Sequence, residues 1–84
     1  MHTTTKKRLR LRALRASHEP YLTQSQIARR AGMGLFRYWQ IENGEGPLAT
    51  ADERTAIAAV LAVRPIDVAW PAPDDGQRRR ALSA

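Results

Sequence analysis

A small all-α domain, a compact bundle of about five short helices, is the fold class this 84-residue sequence predicts. Three observations predict it. Thr23 is followed three residues later by Gln26, and Thr50 by Glu53. At that spacing a helix-opening threonine and the third helical residue each satisfy the other's orphan backbone N–H. Apolar residues recur three and four apart, at Leu11 and Leu14, at Ile27, Ala28 and Ala31, at Tyr38 and Ile41, and at Ile57, Ala58, Val60 and Leu61. Each segment therefore carries one stripe fit for burial. Gly32 and Asn43-Gly44 stand where stripes stop, and glycine accepts the left-handed conformation that ends a helix.

In chain order, residues 1–5 read as a disordered N-terminal arm. A first helix is expected over about 6–17, with Leu11 and Leu14 facing the core, widened by Leu9, Ala13 and Ala16. Arg8, Arg12 and Arg15 line an adjacent stripe. His18-Glu19-Pro20-Tyr21 is a loop, because Pro20 blocks continuation of the helix. His18 has no partner at ligand spacing and reads as an exposed loop residue. Leu22 stands before the Thr23 cap, placed for a hydrophobic staple with Ile27. A second helix then runs over about 24–31. The turn Gly32-Met33-Gly34 leads into a third over about 35–43. Glu45-Gly46-Pro47 is a loop, and a fourth helix follows over about 51–62. Pro65 suits the first turn of a short fifth helix over 65–69, which Pro71 stops. Ile66 reads as core; Val68 and Trp70 have the same option, and part of that surface is also open to a two-fold contact. Residues 72–84, with Asp74-Asp75-Gly76 and Arg78-Arg79-Arg80, read as a flexible tail, leaving 6–71 as the folded domain.

The third helix can be phased by arithmetic, since successive residues turn by about 100°. Setting Tyr38 and Ile41 inward puts Phe36, Trp39, Gln40 and Asn43 outward, with Leu35 and Arg37 on the flanks. An outward face with two aromatic rings costs exposed apolar area, and a small protein shows such a patch where something binds. The competing phase, one residue away, packs Phe36 or Trp39 inside.

Residues 23–44 resemble the Cro/repressor-like helix-turn-helix family, also called the xenobiotic-response-element family. The family pattern is Ser/Thr-Gln-x-x-Leu-Ala-x-x-Ala-Gly-Val-Ser, then seven residues, then Glu-Asn-Gly. Here it stands as Thr23-Gln24, Ile27-Ala28, Ala31-Gly32-Met33-Gly34 and Glu42-Asn43-Gly44, without insertion. Ile57-Ala58-Ala59-Val60-Leu61-Ala62-Val63 is similar to the family's Ile-Ala-x-x-Leu-Gly-Val. The resemblance implies a lambda-repressor-like fold in which helices 2 and 3 form the helix-turn-helix. It implies double-stranded DNA as partner, with helix 3 in the major groove. Thr23 and Gln24 then meet phosphate at the N-terminus of helix 2, where free N–H groups favour an anion. Gln40 can pair bidentately with adenine, and Leu35 or Phe36 can touch a thymine methyl. Arg37 can read guanine or grip phosphate, Trp39 can donate its N–H to phosphate, and Asn43 touches phosphate. Lys6, Lys7 and Arg8 read either as an arm on the backbone or minor groove or as a solvated terminus. The family also pairs the acid at Glu42 with an arginine late in helix 1, for which Arg15 is the candidate. Leu35 and Phe36 depart from the family, which places polar base readers there, and Gly34 replaces its Ser/Thr cap.

Charge agrees with a polyanionic partner. Residues 1–44 carry nine Lys/Arg against Glu19 and Glu42, a net +7, whereas residues 45–84 carry five Arg against six acids, a net −1. Each phosphate neutralised by such a field releases condensed counterions. Solubility alone is the plainer reading of the same charge. The sequence has no cysteine, so there is no disulfide framework and no thiolate metal site. No His/carboxylate cluster, phosphate-cradling loop or nucleophile motif points to an enzyme, and no cofactor is expected. The longest apolar run, residues 56–63, is far short of a bilayer span, and a membrane is not an expected partner. The expectation is a small cytoplasmic regulator, bacterial or phage-encoded and nucleoid-associated, a repressor in preference to an activator, acting as a homodimer. A protein-protein module using Leu35, Phe36 and Trp39 is the alternative.

Overall fold

Both capping boxes close in the computed structural model, which describes residues 8–72. Thr23 Oγ1 accepts from the Gln26 N–H at 3.1 Å, and the Gln26 carboxamide oxygen accepts from the Thr23 N–H at 2.9 Å. Thr50 and Glu53 repeat the arrangement at 3.1 and 2.9 Å. These caps open α2 (Gln24–Ala31) and α4 (Ala51–Val60). Between them lies α3 (Leu35–Asn43), and before them α1 (Leu11–Ser17). Helices α2, α3 and α4 end in one way. Just past the last turn an N–H reaches back five residues, from Met33 to Ala28, Glu45 to Gln40 and Val63 to Ala58. Each closure needs one left-handed residue. Gly32 (φ 74°) and Gly44 (φ 70°) supply two of them, and Ala62 (φ 58°) the third.

The core draws on all four helices. Leu11 of α1, Ile27 and Ala28 of α2, Tyr38 and Ile41 of α3, and Ile57 and Ala58 of α4 are buried, with Leu61 and Val68 beyond. Helix α2 packs against both α3 and α4. Leu22 is buried in the same cluster as Ile27, fixing the chain's approach to α2 as a hydrophobic staple does. Fully burying each such Leu or Ile contributes about 1.5–3 kcal/mol. Tyr38 sits at the centre with its hydroxyl unpaired among the described residues. Burial, then the charge of Glu42, push its pKa up.

The ends of the domain correct the expectation of five helices. Among the described residues there are four α-helices and a small parallel sheet. Leu9–Arg10 form β1, paired with β2 (Val68–Ala69) in the register Leu9 to Val68 and Arg10 to Ala69. Helix α1 therefore starts at Leu11, not near residue 6, and Arg10 is extended (ψ 152°) with no side-chain cap. In place of the fifth helix, Pro65–Asp67 make a single 3-10 turn tied by the Arg64–Asp67 pair. β-branched Val68 then enters the sheet. Because the segment leaves the turn as a strand, Ile66 is not core; it is 62% exposed. Val68 is buried, and Trp70 packs on the core, donates its N–H to Pro65 O at 2.9 Å and lies under the Arg54 guanidinium. Leu9, Ala13 and Ala16 are exposed, so α1 buries a narrower face than its sequence suggests. Helix α4 stops at Val60 instead of 62, because Ala62 is the left-handed closing residue. His18 is half-buried, its Nδ1 2.9 Å from Pro20 O.

Candidate nucleic-acid interface

The outer side of α3 presents Leu35, Phe36 and Trp39, which are 48%, 70% and 39% exposed. Tyr38 and Ile41 face the core, so the phase that turns both rings outward is the one observed. Phe36 and Trp39 stack, with centroids 5.9 Å apart and planes 12° from parallel. With Gln24 at the start of α2, they and Leu35 line a shallow apolar depression.

Asn43 departs from that face. It is buried, accepts from Arg12 Nη2 at 3.2 Å and donates to Trp39 O at 2.9 Å. Phase alone would leave it outward, but Arg12 of α1 reaches over the last turn of α3 and covers it. Arg37 also departs. All five of its N–H groups point inside the protein. Nε donates to Glu53 Oε2 and Nη2 to Glu53 Oε1, each at 2.7 Å. Nη1 meets Pro47 O at 3.0 Å and Gln40 Oε1 at 3.5 Å, and Nη2 meets Leu48 O at 3.2 Å. Arg37 thus joins α3 to the loop and to the first turn of α4, with no donor left for guanine or phosphate. The hydrogen bond to Arg37 pulls the Glu53 pKa down to about 2, and the Thr50 N–H adds to it against the opposing effect of burial.

Behind the exposed face, Glu42 holds three elements together. Its side chain is fully buried. Arg15 Nε and Nη2 each reach Glu42 Oε1 at 3.0 Å, and Gln24 Nε2 donates to Glu42 Oε2. Arg12 Nε stands 3.9 Å away. Arg15 Nη1 goes on to Leu22 O and the Tyr21 hydroxyl. Burial alone would lower the Arg15 pKa, but the hydrogen bond and charge of Glu42 outweigh it and raise the value. The Gln24 carboxamide therefore points at Glu42. Thr23 is exposed, its hydroxyl accepting from the Gln26 N–H.

Gln40 is half-buried against the 44–49 loop. Arg8 is exposed at the edge of β1, as are Arg29 and Arg30 on α2. Lys6 and Lys7, the 1–5 arm and the arginines of the tail lie outside the described residues. Sequence reading missed Arg12 as a partner of Asn43 and Glu53 as a partner of Arg37. The Arg8/Arg12/Arg15 stripe was the only trace of the first. The second had none, since Glu53 was already accounted for as a cap.

A family model described as a helix-turn-helix domain matches residues 8–70. The chain belongs to the helix-turn-helix domain family. No curated protein and no solved structure was found to match it. Helices α2 and α3 are the helix-turn-helix pair, joined through the left-handed Gly32. Membership points to DNA binding, and the face left free by the internal bonds of Arg37, Asn43 and Gln24 is the apolar one on α3. Among the described residues, no helix is long and apolar enough to cross a membrane, and no His or acid cluster is placed for a metal.

Proposed function

We propose that this helix-turn-helix domain is a sequence-specific binder of double-stranded DNA, a transcriptional repressor that acts as a homodimer on a pseudo-palindromic operator in the cytoplasm. Helix α3 enters the major groove. One observation carries the reading: Leu35, Phe36 and Trp39 stay exposed on the outer face of α3 although Tyr38, Ile41, Glu42 and Asn43 of the same helix are buried. In the groove, Leu35 and Phe36 lie against thymine methyls and the Trp39 N–H donates to phosphate. Backbone N–H groups at the start of α2 meet a second phosphate, since the Gln24 side chain is turned inward. Lys6, Lys7 and Arg8 add backbone contacts. Random-pool duplex selection with the purified chain tests the proposal. A two-fold symmetric motif is expected, with log K falling against log salt by about 0.9 per neutralised phosphate. Affinity unchanged from low to high salt would contradict it.

The inward commitment of Arg37 also favours a second reading, in which the stacked Phe36 and Trp39 dock a protein. A pull-down partner lost on Phe36→Ala, together with no duplex binding by the unaltered chain, would select that reading.

A further inference from the structure

The carboxamide of Gln40 is held from two sides. On one side Arg37 Nη1 donates to Oε1 over a long 3.5 Å. The atom facing Arg37 has to be the oxygen, because a guanidinium has no acceptor. On the other side lies Gly46, left-handed at φ 67°. A Cβ at residue 46 would stand 2.6 Å from Gln40 Nε2 and 2.8 Å from its Cδ, so any side chain there displaces the amide. Arg37 is itself immobilised by the two-pronged bond to Glu53 and the carbonyls of Pro47 and Leu48. A chain of contacts therefore runs from the α4 cap through Arg37 to the outer half of α3.

We propose that Glu53 and Arg37 are positioning residues that fix Gln40 as a reader of keto bases, guanine or thymine, with Gly46 as its floor. The inference rests on the reading that α3 enters the major groove. Adenine recognition by glutamine needs both ends of the amide, the oxygen for N6–H and the nitrogen for N7. Here the oxygen already faces a cation, and an amino group of adenine or cytosine approaching it meets like partial charge. The nitrogen remains a donor; guanine O6 or thymine O4 can accept from it without bringing an amino group to the oxygen, whereas adenine N7 accepts from it only with N6–H set against the oxygen that faces Arg37. Loosening Arg37 returns the oxygen to Gln40 and with it the adenine pairing.

The test is competition binding of the full chain to four duplexes that differ only at the base where Gln40→Ala loses discrimination. The unaltered chain is expected to favour a keto base there by on the order of tenfold, within the usual range for one good base contact. Glu53→Gln should move that preference toward adenine while the salt slope stays the same, and should move nothing in a Gln40→Ala background. An even loss of affinity for all four duplexes, or an adenine preference in the unaltered chain, would overturn the proposal. Absence of duplex binding by the unaltered chain is a separate failure, that of the groove reading, and the proposal falls with it. Arg37→Lys guards against a variant that does not fold, since lysine keeps the charge but loses the fork. The Gln40 side-chain amide resonances of the free protein should collapse toward unstructured positions in Arg37→Lys. Unchanged resonances would overturn the clamp without reference to DNA.

Discussion

Ala62 takes the left-handed conformation that glycine takes at the matching positions after α2 and α3. A Cβ there presses on the following carbonyl at a cost of roughly 1–2 kcal/mol. Ala62→Gly should therefore raise stability by about 1 kcal/mol, which for a domain this small is roughly 4–8 °C in Tm. Thermal unfolding followed by circular dichroism checks it, and a lowered Tm would mean the turn carries no such strain. The Ile-Ala-x-x-Leu-Gly-Val pattern holds the clue, because Ala62 stands at its glycine. Glu42 is the opposite case, a residue whose partner was legible and whose surroundings were not. The Arg15 pairing came from the family pattern, whereas the Gln24 and Arg12 contacts depend on how α1 and α2 close over α3. Glu42→Ala strands the Arg15 charge, and removing one partner of a buried pair costs about 3–5 kcal/mol. Urea unfolding should then show the domain near the edge of folding. A loss below about 1 kcal/mol would place the pair among weak surface interactions.

Among the elements, those set by local signals read directly from the sequence. The capping boxes mark the starts of α2 and α4, the left-handed glycines mark the ends of α2 and α3, and the helical phase turns Phe36 and Trp39 outward. What failed to read depends on distant partners. Strand β1 exists because Val68 and Ala69 come to lie beside Leu9 and Arg10 across most of the domain. Asn43 is buried because Arg12, 31 residues earlier, covers it. Arg37 and Glu53 are 16 residues apart, and neither neighbourhood announces the other. Their clamp has a pH signature. The Glu53 pKa falls from an ordinary 4.5 to about 2 in the folded protein. A depressed carboxyl stabilises the fold fully above the unfolded value, and that contribution is lost as pH falls through the folded one. The urea midpoint should therefore drop between about pH 4.5 and 2, and Glu53→Gln should flatten that part of the curve while lowering stability at neutral pH. Parallel curves for both proteins would mean that the Arg37–Glu53 clamp contributes nothing to stability over this range.

At the scale of the whole molecule, the charge divides between a basic half of the sequence holding β1 and α1 to α3 and a near-neutral half holding α4 and β2. Helix α1 spends its apolar face on the core, with Leu11 buried and Leu14 packed beside it, and α4 braces the other side of α2. The outer face of α3 is what this packing leaves available. The most direct test of that assignment is an 15N NMR titration of the chain with a duplex recovered by selection. The largest shifts are expected at Leu35, Phe36, Trp39 and Gln40 and in the first turn of α2, including the Trp39 indole N–H. Shifts confined to α4 and the β2 edge, with the α3 face unmoved, would contradict it.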